Sequence, residues 1–117
     1  MLPKKNRITK KKDFDKVFKK GKGLNGNFLF LKTFQNDQKF SRFGFVISQK
    51  VSKKAVIRNK RKRTLSEIIR EKMSLIEKGS DIIILTKSGT EKKDFQQIKE
   101  ELDTMLFRAK LIKHKNN

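Results

Sequence analysis

At 117 residues the chain is sized for one domain, which buries roughly 65% of its unfolded surface and so supports a single core. Thirty-two Lys and Arg stand against twelve Asp and Glu, a net charge of +20, and the absence of Cys excludes a disulfide framework and a thiolate metal site. No stretch approaches the ~20 apolar residues of a membrane span, and MLPKKNRITKKKDF lacks an apolar run of signal length, so the expected location is the cytoplasm.

Residues 1–10 read as a flexible basic arm. Phe14, Val17 and Phe18 follow at i, i+3, i+4, which predicts a short helix over about 11–20, closed by Gly21 in the positive-φ conformation that helix ends favour. GKGLNGN is turn chemistry. NFLFLKTF then predicts a strand whose apolar residues occupy both parities, Phe28 and Phe30 on one face, Leu29 and Leu31 on the other. A polar NDQK turn leads to FSRFGFVIS, a second alternating strand, and the two are expected to pair as a hairpin.

A helix is predicted from about Lys54 to Met73, with Leu65, Ile68, Ile69, Met73 and Ile76 as its apolar stripe. At about 100° per residue, Asn59, Arg63 and Arg70 share a face away from that stripe, flanked by Lys60 and Lys62. Arg58 and Arg61 lie nearer the buried side, where long stems pack while their heads reach water. Lys78-Gly79-Ser80-Asp81 ends the helical region, and IIIL at 82–85 reads as a fully buried strand. Phe95, Ile98, Leu102, Met105, Leu106 and Ala109 draw a last amphipathic helix from about Glu91, and residues 112–117 read as a flexible tail. The order αββαβα, with room for one further short strand, predicts an α+β sandwich of one mixed sheet against helices in a single domain.

The charge is concentrated. Residues 1–23 hold ten Lys and Arg against two Asp, and residues 49–72 hold ten against two Glu, so each block carries +8. From Lys53 to Arg63, KKAVIRNKRKR, seven of eleven residues are cationic. Charges on this scale are not buried without partners, and the chain has too few carboxylates to supply them, so the counter-charge is external. Localised basic blocks are the footprint of nucleic-acid binding.

Catalytic chemistry has little to work with. The single His114 lies in the tail, and neither a nucleophile triad nor metal-ligand spacing can be assembled. Asp13 and Asp15, two apart, point to different sides of their helix, and Glu100 and Asp103 read as ordinary charges of an amphipathic helix. All ten aromatic residues are Phe. Phe14 and Phe18, one turn apart, either stack on single-stranded bases or pack beneath their helix, and composition alone favours packing.

RFGFVI followed by SQKVSKKAVIRNKRKR resembles the signature of the bacterial ribonuclease P protein subunit: a Gly-bearing strand, a Ser-x-Lys turn, and a helix carrying Arg-Asn-Arg-x-x-Lys-Arg. Here that helix reads Arg58-Asn59-Lys60-Arg61-Lys62-Arg63. DFDKVFKKG, NFLFLKT and DIIILTK resemble the family's first helix, first strand and later strand in the same order. Lys60 departs from the pattern by losing bidentate geometry, and Arg61, Ser66, Gln49 and Leu31 depart in type. The resemblance implies a fold like the second domain of ribosomal protein S5, with a left-handed crossover. It implies a partner RNA that removes the 5′ leader of precursor tRNA with Mg²⁺ held mainly by that RNA, and no catalytic or metal-binding residues in the protein. By position, Lys50, Lys53, Lys54, Arg58, Asn59, Lys60, Lys62 and Arg63 are expected to meet RNA, and Phe14, Phe18, Leu29 and Leu31 to line a leader cleft. A small ribosomal protein would share the charge, size and fold but has no use for such a cleft. A free-standing RNA chaperone would act without a partner RNA.

Overall fold

A computed structural model describes residues 2–48 and 52–113. Among them the chain forms α1 (Lys11–Lys20), β1 (Lys22–Asn25), β2 (Leu29–Gln35), β3 (Arg42–Ile47), α2 (Ala55–Lys72), β4 (Ser80–Thr86) and α3 (Phe95–Arg108), with short 3₁₀ turns at Lys4–Asn6, Met73–Leu75 and Thr90–Lys92. The four strands make one mixed sheet in the order β1-β2-β4-β3; β1–β2 and β2–β4 are antiparallel, β3–β4 parallel.

The expected β2–β3 hairpin does not form, because β4 lies between the two strands. IIIL is apolar on both faces and so takes the centre of the sheet, where both faces are covered: Ile82 and Ile84 enter the main core, Ile83 a smaller one on the opposite face. The loop after β2 crosses the start of β4 and is pinned there, Asn36 N–H donating to Gly79 O (2.8 Å) and Asn36 Nδ2 to Asp81 Oδ1 (2.8 Å). The hairpin that does exist joins β2 to β1, within the segment expected to be turn. Gly23 suits that strand because a Cβ there would lie 2.9 Å from the Phe30 ring. Gly21 is extended (φ −76°), not left-handed; its side-chain hydrogen is needed because a Cβ would meet Val17 O at 2.4 Å and Thr33 O at 2.6 Å.

The main core joins Leu65, Ile68 and Ile69 of α2 and Ile98, Leu102, Met105 and Leu106 of α3 to Leu29, Leu31, Phe43, Ile47, Ile82 and Ile84 of the sheet. On the other face, Val17 of α1 packs with Ile8 and Ile83. α3 starts at Phe95, later than expected, because Asp94 and Gln97 form a reciprocal capping box. It ends with Lys110 at φ 61° and Leu111 N–H returning to Leu106 O, a Schellman turn that folds the chain back.

Both termini depart from expectation where they are described. Leu2 and Ile8 are buried, Ile8 N–H donates to Phe43 O (2.9 Å), and buried Asn6 donates to Ser41 O (2.8 Å). At the other end Leu111 and Ile112 are buried in the main core. The arm of residues 1–10 and the tail from 112 are thus packed at these positions, since each carries apolar side chains that complete a core. No helix among the described residues is long and apolar enough to cross a membrane.

Candidate nucleic-acid interface

α2 is divided along its length. Its last two turns hold the helix down through Leu65, Ile68 and Ile69, each 1% exposed or less, while residues before Leu65 contribute nothing to the core. Just ahead of the helix Lys53 and Lys54 are exposed, and in its first half Asn59, Lys60, Lys62 and Arg63 are exposed and Arg58 and Arg61 half-buried, as the helical phase predicts. Arg58 is steadied by Nη1 donating to Ser52 O (3.0 Å). Two ion pairs tie the far end of α2 to α3, Glu71 with Lys99 (3.3 Å) and buried Lys72 with buried Asp103. The cationic face is therefore carried on a helix anchored elsewhere. Lys50 lies outside the described residues.

A second feature lies on the opposite face of the sheet. α1 crosses it with Val17 fully buried, Phe14 half-buried and Phe18 exposed. The Phe14 ring occupies the space over Gly44, 2.6 Å from where a Cβ would stand, so glycine is required there for α1 to approach. Alternation along the strands places Phe30, Lys32 and Phe34 of β2 on this face, beside Leu85 and Ile83 of β4 and Val46 of β3. Phe18 is thus the exposed ring of this face, with Phe14 and Phe30 half-buried.

Leu29 and Leu31, expected to line a leader cleft, do not lie on this face. Both are 0% exposed, in the main core beneath α2 and α3. A strand's side chains alternate, so assigning the wrong parity moves the whole set to the other face. Phe30 and Lys32 take the positions expected of the leucines. Lys32 was the available signal: a lysine without a buried partner does not share the parity that fills the core, so its face is the open one.

Two polar contacts fix α1 against the sheet. At its C-terminal end Lys32 Nζ donates to Phe18 O (2.5 Å), where the helix presents unsatisfied carbonyls. Towards its start, Arg42 donates Nη1 to Asp13 Oδ2 (3.3 Å) while its Nε (2.9 Å) and Nη2 (2.6 Å) grip buried Asp81. Hydrogen bonding to Asp81, with the charges of Asp81 and Asp13, outweighs desolvation and raises the Arg42 pKa above its ordinary value. Among the described residues no three His, Cys, Asp or Glu side chains gather as a metal-holding group.

A cationic helix on one face of a mixed sheet and phenylalanine rings beside α1 on the other define a small basic α+β protein of the nucleic-acid-binding class. Residues 2–110 match the family model described as Ribonuclease P. The ribonuclease P protein component of a Pseudanabaena strain is 37% identical over 96% of this chain and 97% of its own length, and that of Syntrophomonas wolfei 34% identical over 100% and 98%. Among solved structures, the Staphylococcus aureus RNase P protein superposes with a TM-score of 0.85 at 30% identity, covering 92% of this chain and 97% of that one. The Thermotoga maritima RNase P protein gives 0.80 at 33% identity, covering 87% and 96%. The chain belongs to the ribonuclease P protein family.

Proposed function

We propose that this chain, as the protein subunit of ribonuclease P, binds the catalytic RNA through the first half of α2 and takes the 5′ leader of precursor tRNA into the cleft between α1 and the sheet. The observation that carries this is the placement of the exposed cationic half of α2 and of exposed Phe18 with half-buried Phe30 on opposite faces of one sheet. Backbone phosphates give sequence-independent affinity, and stacking on rings is tolerant of base identity, which suits a protein serving every precursor. Lys53, Lys54, Arg58, Asn59, Lys60, Lys62 and Arg63 meet the RNA subunit. Phe14, Phe18, Phe30 and Lys32 meet the leader.

Cleavage itself belongs to the RNA. The protein's own donor set does not fit Mg²⁺: among the described residues no three His, Cys, Asp or Glu side chains gather, and a net charge of +20 disfavours a divalent cation. A purely structural ribosomal role is not favoured, since the family model and the solved structures above are all ribonuclease P proteins.

The test is reconstitution with a bacterial ribonuclease P RNA. The protein is expected to lower the Mg²⁺ needed for cleavage and to favour precursor over mature tRNA, and Phe18→Ala to lose that preference while keeping affinity for the RNA subunit. No effect of the protein at low Mg²⁺ overturns the reading.

A further inference from the structure

The basic block of residues 1–23 equals the α2 block in charge, yet neither the α2 interface nor the cleft uses most of it. In α1, Lys11, Lys12, Lys16, Lys19 and Lys20 are all exposed. At about 100° per residue, Lys12 and Lys19 lie within about 20° of each other, on the side of the helix opposite Phe14 and Val17, while the head of Lys16 turns back over Phe34. The outer face of α1 is therefore cationic along its length. Of the two α1 carboxylates, Asp13 is committed to Arg42, which leaves Asp15 alone on that face.

Such a helix works against itself. Lys12–Lys16 and Lys16–Lys20 are like-charge pairs at i, i+4, which destabilise helices. Lys10, Lys11 and Lys12 stand at the positive end of its dipole, and no side chain caps it. A ten-residue helix is marginal without outside support. A polyanion along the outer face relieves each of these terms at once.

The position of α1 selects among polyanions. α1 packs with Ile83 and α2 with Ile82 and Ile84, so the two basic blocks lie on opposite faces of the sheet. An RNA segment seated on α2 is separated from the outer face of α1 by the sheet and by α1 itself. A strand leaving the cleft past Phe18, in contrast, meets Lys19, Lys20 and Lys22 next in the chain, all exposed.

We infer that the outer face of α1 is a second contact surface for the precursor, binding the phosphate backbone of leader nucleotides that extend beyond the cleft. α1 is then gripped on both sides, by bases against its inner rings and by phosphates along its outer lysines. The inference rests on the assignment of the cleft to the leader.

The test uses Lys12→Gln, Lys19→Gln and Lys20→Gln combined; Lys16 is left in place because its Nζ sits 5.2 Å from the centre of the Phe34 ring. In the reconstituted holoenzyme, affinity is measured over a salt series for precursors with a short leader that fills only the cleft and a long leader that extends past it. The variant is expected to lose about tenfold in affinity for the long leader, and about two units of its log–log salt slope, while the short leader and the RNA subunit bind as before. The same three positions changed to Arg should restore the long-leader affinity, separating loss of charge from loss of folding. Unchanged long-leader affinity, or an equal loss for the short leader or the RNA subunit, overturns the inference. Phe18→Ala, measured alongside, should weaken both leader lengths; if it weakens neither, the cleft assignment itself fails.

Discussion

Truncating Leu31 removes a side chain with no exposure from the main core, where large-to-small changes cost about 2–5 kcal/mol. Phe18, 37% exposed, leaves no closed cavity when shortened, and its loss is expected to cost under about 1 kcal/mol. Urea melts of Leu31→Ala and Phe18→Ala should therefore differ clearly in midpoint, with only the first strongly destabilised. Similar midpoints would mean that Phe18 is core and the cleft closed. The Arg42 clamp adds no pH dependence near neutrality. Its folded pKa is raised, so its stabilisation is complete below the ordinary arginine value and is lost only at pH above it. At this scale the basic residues of α2 are legible because helical phase separates Asn59 and Arg63 from Leu65 and Ile68. The cleft leucines are not, because both parities of β2 are apolar and the choice between them depends on which face the helices cover.

Between elements, a contact sensitive to substitution is the buried ion pair Lys72–Asp103, which joins the end of α2 to α3. Removing one partner strands a charge in the core, so Asp103→Ala is expected to cost about 3–5 kcal/mol, while replacing both by apolar residues of similar volume should be close to neutral. Thermal melts of the single and double variants check this; additive losses would show that the pair is not coupled. This pair and Leu65, Ile68 and Ile69 hold the second half of α2, so the exposed lysines of the first half are not needed to fill the core. The extents of α1, α2 and β4 follow from local periodicity. The β1–β2 hairpin does not, since glycine and asparagine ordinarily mark turns and here line a strand that leaves room for the Phe30 ring.

Across the whole molecule, +20 on 117 residues is a self-repulsion that opposes compaction. Anions that bind the folded basic faces stabilise it by mass action. Sulfate or phosphate is expected to raise the melting temperature more than chloride at equal ionic strength, and equal shifts would reduce the effect to general screening. This property is legible from composition, as is the nucleic-acid partner, because charge and length act regardless of fold. Helix and strand periods likewise depend on neighbours along the chain. The sheet order, with β4 between β2 and β3, the burial of Leu29 and Leu31, and the docking of Leu2, Ile8, Leu111 and Ile112 depend on residues far apart in sequence competing for the same two cores. That competition is settled by which strand buries most apolar surface on both faces, and so it comes into view only once the chain is folded.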